Sequence, residues 1–132
     1  MTPEPIATGL HLCHDLAVHP DSLEVSLTRI FRTFRSPLYP ATAPPFWAFG
    51  AIHGPKGRGE LRVAVTRLLT DEMISEARGT IEFPSPLVPV YVRLRFSNCR
   101  FPAPGAYETM MMIDRDVIAQ RVFHVLVPGA EQ

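Results

Sequence analysis

The segment Phe101-Pro102-Ala103-Pro104-Gly105-Ala106-Tyr107 runs directly into an apolar stretch, Met110-Met111-Met112-Ile113. Proline removes a backbone donor and fixes φ, while glycine opens conformations that other residues avoid. Such a segment is a corner rather than the interior of a helix or strand. A tyrosine two residues after a Pro-Gly corner, entering an apolar strand, can bond its hydroxyl back to nearby backbone and pin the turn between two sheets. Pro104, Gly105 and Tyr107 are therefore expected to be structural. The corner constrains the fold and says little about chemistry.

Fourteen prolines in 132 residues exclude long helices and fall in clusters at 37–45, at 84–89 and at Pro102 and Pro104. Between them lie short segments with the period-2 alternation of strands. The first is expected over 10–16, and a second runs from 23 through the alternation Leu23-Glu24-Val25-Ser26-Leu27-Thr28 as far as 34. The stretch 36–45 reads as an unpaired proline-rich loop. Strands follow at 46–52 and, after a turn at 54–59, at 60–68, with Leu61, Val63 and Val65 opposed to Arg62, Ala64 and Thr66. The stretch 73–83 is ambiguous, since 73–78 could form a helical turn while Gly79 and Thr80-Ile81-Glu82-Phe83 favour a strand. A clear amphipathic strand covers 88–96, with Pro89 marking its start or an edge position. A final hairpin runs over 107–113, turns at 114–116 and returns over 117–127, leaving a frayed tail at 128–132.

This pattern predicts an all-β, immunoglobulin-like two-sheet antiparallel sandwich of seven or eight strands. It forms one domain over 1–132 with an ordered core of about 8–127, a size sufficient to close a core without staples. Thirteen basic and thirteen acidic side chains give a formal net charge of zero. That removes the long-range field which recruits nucleic acid or an anionic membrane, and it weakens repulsion between copies. No apolar run reaches the roughly eighteen residues of a membrane helix. Met1-Thr2-Pro3-Glu4-Pro5 lacks the basic start of a secretory signal, so the expected address is the cytoplasm. Cys13 and Cys99 read as small buried hydrophobes, although their spacing leaves pairing open.

Several stretches taken together resemble a known family. They are Leu12-Cys13-His14-Asp15, Ser26-Leu27, Pro44-Pro45-Phe46, Gly59-Glu60-Leu61-Arg62-Val63, the corner 101–107, and Ile118-Ala119-Gln120-Arg121-Val122-Phe123-His124-Val125. The chain resembles a bacterial family of small stand-alone immunoglobulin-like β-sandwich domains of unknown function, frequent in planctomycetes. The resemblance spans roughly 10–127 and implies an intracellular sandwich. It carries no catalytic residue over to this chain. His14 departs from the family pattern, in which the cysteine is followed more directly by aspartate.

Candidate chemistry is sparse, and no cofactor is expected. His11 and Cys13 share one face of a strand, and with His14 they are the candidate metal ligands; zinc needs about three or four. A metal- or small-ligand-binding sandwich built on this cluster is the alternative reading. Asp114 and Asp116 with Asp71-Glu72 evoke calcium loops, which need about six or more converging oxygens. The run 54–59 has the glycines and cations of an anion cradle but no Gly-Lys-Ser/Thr ending. There is no nucleophile elbow, and Trp47 is read as core rather than as a stacking platform. The final hairpin is the most informative candidate. With Tyr107, Thr109, Met111 and Ile113 inward, Met110 and Met112 face outward, joined by Val122, His124 and Leu126 on the return strand. Unless the 36–45 loop covers it, so apolar an outer face marks an interface. The expected function is therefore a non-catalytic module that binds another protein or itself, without nucleic acid or membrane.

Overall fold

The computed structural model describes residues 5–22 and 24–129. The expected strand start at Leu23 and the end of the tail at 130–132 lie outside the described residues. Among the described residues eleven strands run in the order β1 (Ile6–Val18), β2 (Val25–Ile30), β3 (Thr33–Arg35), β4 (Ala41–Thr42), β5 (Phe46–His53), β6 (Gly57–Arg67), β7 (Met73–Phe83), β8 (Val90–Phe96), β9 (Arg100–Phe101), β10 (Gly105–Ile113) and β11 (Asp116–Leu126). One sheet has the order β2-β1-β5-β8, a second the order β3-β11-β10-β6-β7, and β4 pairs with β9 in a small third sheet. The chain is all-β across the described residues.

The two large sheets enclose one core, and period-2 geometry supplies it. Leu61, Val63 and Val65 of β6 meet Met111 and Ile113 of β10 and Phe123 and Val125 of β11. From the other sheet come Leu10 and Leu12, Phe46, Ala48 and Ile52, and Val92 and Phe96. Gly50 lets the sheets approach closely, because a Cβ there would stand 3.2 Å from the Met111 methyl. Phe101, Tyr107 and Phe123 form an aromatic knot with centroids 4.9–5.9 Å apart, each such pair adding about 0.5–1.5 kcal/mol beyond its burial.

One ambiguity resolves in favour of a strand, and three expectations need correction. The ambiguous stretch is strand throughout: β7 pairs with β6 from Thr66↔Met73 to Gly57↔Phe83, so cross-strand partners override the local helical preference. The predicted strand from 23 to 34 is two strands in different sheets. β2 pairs with β1, whereas β3 crosses to pair parallel with β11, Thr33 opposite His124 and Arg35 opposite Leu126. The arrangement is therefore not wholly antiparallel. The proline-rich stretch 36–45 is not wholly unpaired either, because Ala41 and Thr42 bridge Phe101 and Arg100.

Strand β1 outruns β5. Its pairing with β5 ends at Cys13↔Trp47, and from Cys13↔Ile30 to Val18↔Val25 its partner is β2. Arg29 stands at φ 58°, a left-handed conformation unusual for a long side chain, and its guanidinium pairs with Asp15 at 2.7 Å. The part of the β1–β2 hairpin beyond Cys13 is an arm.

Candidate functional site

The corner is built as the sequence predicts. Gly105 at φ 149° takes a conformation that side chains resist, and the Tyr107 hydroxyl donates to the Ala103 carbonyl at 2.6 Å. Burial pushes that phenol above its ordinary range. The corner positions β10 and offers no reactive group.

On β10, Met112 lies opposite Arg62 and Met110 opposite Ala64, so these four share the outer face of the five-stranded sheet. Met112 nevertheless retains only 6% exposure and Ala64 1%, although neither belongs to the core. Neighbouring side chains cover them. One Arg62 amino group donates to the Met112 sulfur at 3.1 Å, and the other lies 3.6 Å from Glu76, which also pairs with Arg78. Met112 thus faces outward as predicted but is closed off under Arg62, and it is removed from the contact surface. Met110 is half-buried, while Val122 is 45% exposed. His124 and Leu126 are half-buried at the β3 side: His124 donates its N–H to the Arg32 carbonyl, and the Leu126 carbonyl accepts from Ser36 N and the Tyr39 hydroxyl.

The His11, Cys13 and His14 side chains do not converge. His14 stacks on Phe31 with centroids 4.6 Å apart, whereas strand alternation puts His11 and Cys13 on the opposite face. Among the described residues, no group of three or more His, Cys, Asp and Glu could hold a metal. Both cysteines are free and buried. Burial pushes the Cys99 thiol up to about 12, and burial with the Asp15 charge raises Cys13, so neither is poised as a thiolate.

The acidic turns also stay apart. Asp114 accepts from Glu60 N at 3.0 Å near the start of β6, while Asp71 donates to the Arg67 carbonyl at its end. In the run 54–59, Gly57 to Gly59 already belong to β6, and Lys56 and Arg58 are exposed. Trp47 is not core: it sits half-buried on the outer face, with the Arg95 guanidinium 5.9 Å from its ring.

Sequence reasoning missed an apolar end. Leu38, Leu68, Leu69 and Met73 are 78%, 40%, 87% and 52% exposed. They stand in the β3–β4 loop and around the β6–β7 turn, at the end of the molecule that holds the Tyr107 corner. Leu68 N donates to the Ala106 carbonyl, and Ser36 N reaches the end of β11. A hollow of about 400 Å³ opens between Leu68, Leu69 and the Pro104–Ala106 corner. Pro40 and Met73 share a neighbouring hollow of about 210 Å³. The signal was present in the sequence: two consecutive leucines occupy the tip of a turn, where small polar residues are usual.

No protein-family model matches the chain, and no curated protein matches it. No helix among the described residues is long and apolar enough to cross a membrane.

Proposed function

We propose that the chain is an immunoglobulin-like sandwich of the bacterial stand-alone kind it resembles, acting by contact rather than catalysis as a self-associating interaction module. The topology supports the fold assignment: a tyrosine corner opens the penultimate strand, and an early strand runs parallel along the last one. Two free buried thiols favour a reducing compartment, in keeping with the cytoplasm. The contact surface is the apolar loop end, and one observation carries it: Leu38 and Leu69, 78% and 87% exposed, stand in two loops that leave the same end of the five-stranded sheet. Full burial of each such leucine is worth about 1.5–3 kcal/mol, and a net charge of zero leaves little repulsion between copies.

Light scattering behind size exclusion, over a dilution series, tests the reading. The wild type is expected to assemble, Leu69→Glu to run as a folded monomer, and Val122→Glu on the sheet face to assemble as before. A monomeric wild type at every concentration overturns self-association. Assembly that survives Leu69→Glu and is lost in Val122→Glu moves the interface to β11.

A further inference from the structure

The arm does more than extend an edge. Leu16 lies five residues beyond His11, the register partner of Phe49. In a straight strand that separation is roughly 17 Å. Yet Leu16, Val18 and Val25 of the arm line one cleft with Phe49 of β5 and with Tyr91 and Arg93 of β8. Phe49 alternates with the core residues Ala48 and Gly50, and Tyr91 and Arg93 are its neighbours on the outer face. The arm therefore bends at its root and folds back across the outside of the four-stranded sheet. It leaves a space of about 200 Å³ between arm and sheet.

The walls have a definite chemistry. Leu16, Val18 and Val25 face the Phe49–Tyr91 pair, whose ring centroids are 5.7 Å apart. Leu16, Val25 and Phe49 are neither in the core nor packed against it, and among the described lining residues only Val92 belongs to the core, so the cleft lies largely outside it. Among the described residues Arg93 is the one charged residue lining it, and no acidic side chain does. Among the described residues the ion pairs are Asp15–Arg29, Arg62–Glu76 and Arg78–Glu76, which leaves Arg93 uncompensated. An apolar cavity on the order of 150 Å³ accepts a benzene-sized body, and guanidinium is the side chain best matched to a carboxylate.

We propose that this cleft binds a small organic acid, an aromatic or short-chain monocarboxylate. Its apolar body lies between the arm and Phe49, and its carboxylate meets Arg93 at the rim. This site is separate from the loop end and does not depend on self-association.

The test titrates the full chain with 4-phenylbutyrate and, in parallel, with neutral 4-phenylbutanamide, following heat and amide chemical shifts. One saturable site is expected for the acid, with shifts confined to 14–18, 25–30 and the β5–β8 face. Arg93→Gln is expected to weaken the acid about tenfold, the loss of one charge-assisted contact, and to leave the amide unchanged. Val18→Trp fills the space and is expected to abolish both; Val25→Phe on the same wall serves if that variant does not fold. Absence of saturable binding to the wild type overturns the proposal. So does binding that survives filling, and an Arg93→Gln effect equal for acid and amide overturns the carboxylate assignment.

Discussion

On the outer face of the five-stranded sheet, Met112 lies buried beneath Arg62, which reaches towards Glu76, and Ala64 is buried on the same face. On the outer face of the four-stranded sheet, Cys13 is fully buried at the root of the arm whose Leu16, Val18 and Val25 share a cleft with Phe49 and Tyr91. Both faces hide apolar side chains outside the core, by different devices. Side-chain cover is local: long stems lie down over shorter neighbours and conform to them while their charged ends stay near water. Main-chain cover spans more surface but is stiff, because its backbone pairing must be kept. It cannot conform everywhere, and the mismatch is the cleft. The first face is a closed wall and the second holds a space.

The comparison breaks most visibly at Cys13. Cys13→Ser leaves shape almost unchanged but puts a hydroxyl where burial is complete. An unsatisfied buried hydroxyl costs about 1–3 kcal/mol, so the urea midpoint is expected to fall clearly. A loss under about 0.5 kcal/mol, the range of ordinary surface substitutions, would mean that water reaches Cys13 and the arm does not seal that face.

Arg62 sharpens the other side. One of its nitrogens, Nε, is buried without a hydrogen-bond partner, so the guanidinium is held at some cost. If the stem is what covers Met112, Arg62→Met keeps the cover and removes the cost, and stability should hold or rise. Arg62→Ala removes both and is expected to lose about 1 kcal/mol. Equal losses in the two variants would show instead that the ion contacts with Glu76 hold this face.

What was legible in the sequence follows from the range of the forces involved. The Tyr107 corner and the alternations of β6 and the β10–β11 hairpin are written in adjacent residues, and the structure reproduces them. The parallel attachment of β3 was not legible, because which edge a three-residue strand joins depends on β11, ninety positions away in the chain. The arm was hidden for a similar reason. Its root holds an arginine in a left-handed conformation, where glycine or asparagine would have announced an irregularity. For the candidate surface, the direction of Met112 could be read from its own strand, but its cover comes from Arg62 on another. Leu38 was absorbed into a loop and Leu68 into a strand, since nothing local says that both leave the same end of the sheet.

The smallest global effect is expected where the arm is clamped. The Asp15–Arg29 pair is well exposed, with side chains 58% and 65% accessible, and exposed pairs contribute about 0–1 kcal/mol. Asp15→Ala should therefore barely shift the denaturation midpoint. It removes, however, the partner that holds Arg29 in its left-handed conformation. Without the pair that conformation retains its cost of about 1–2 kcal/mol, and relaxing it straightens the arm. Amide exchange at 14–18 and 25–30 is then expected to speed while amides of β5 and β10 keep their protection, since local opening is set by local contacts. Arg29→Gly separates the two contributions: it loses the same ion pair but occupies the bend without strain, so its arm should exchange more slowly than that of Asp15→Ala. Equal exchange in both variants would mean that apolar packing of Leu16, Val18 and Val25 alone holds the arm down.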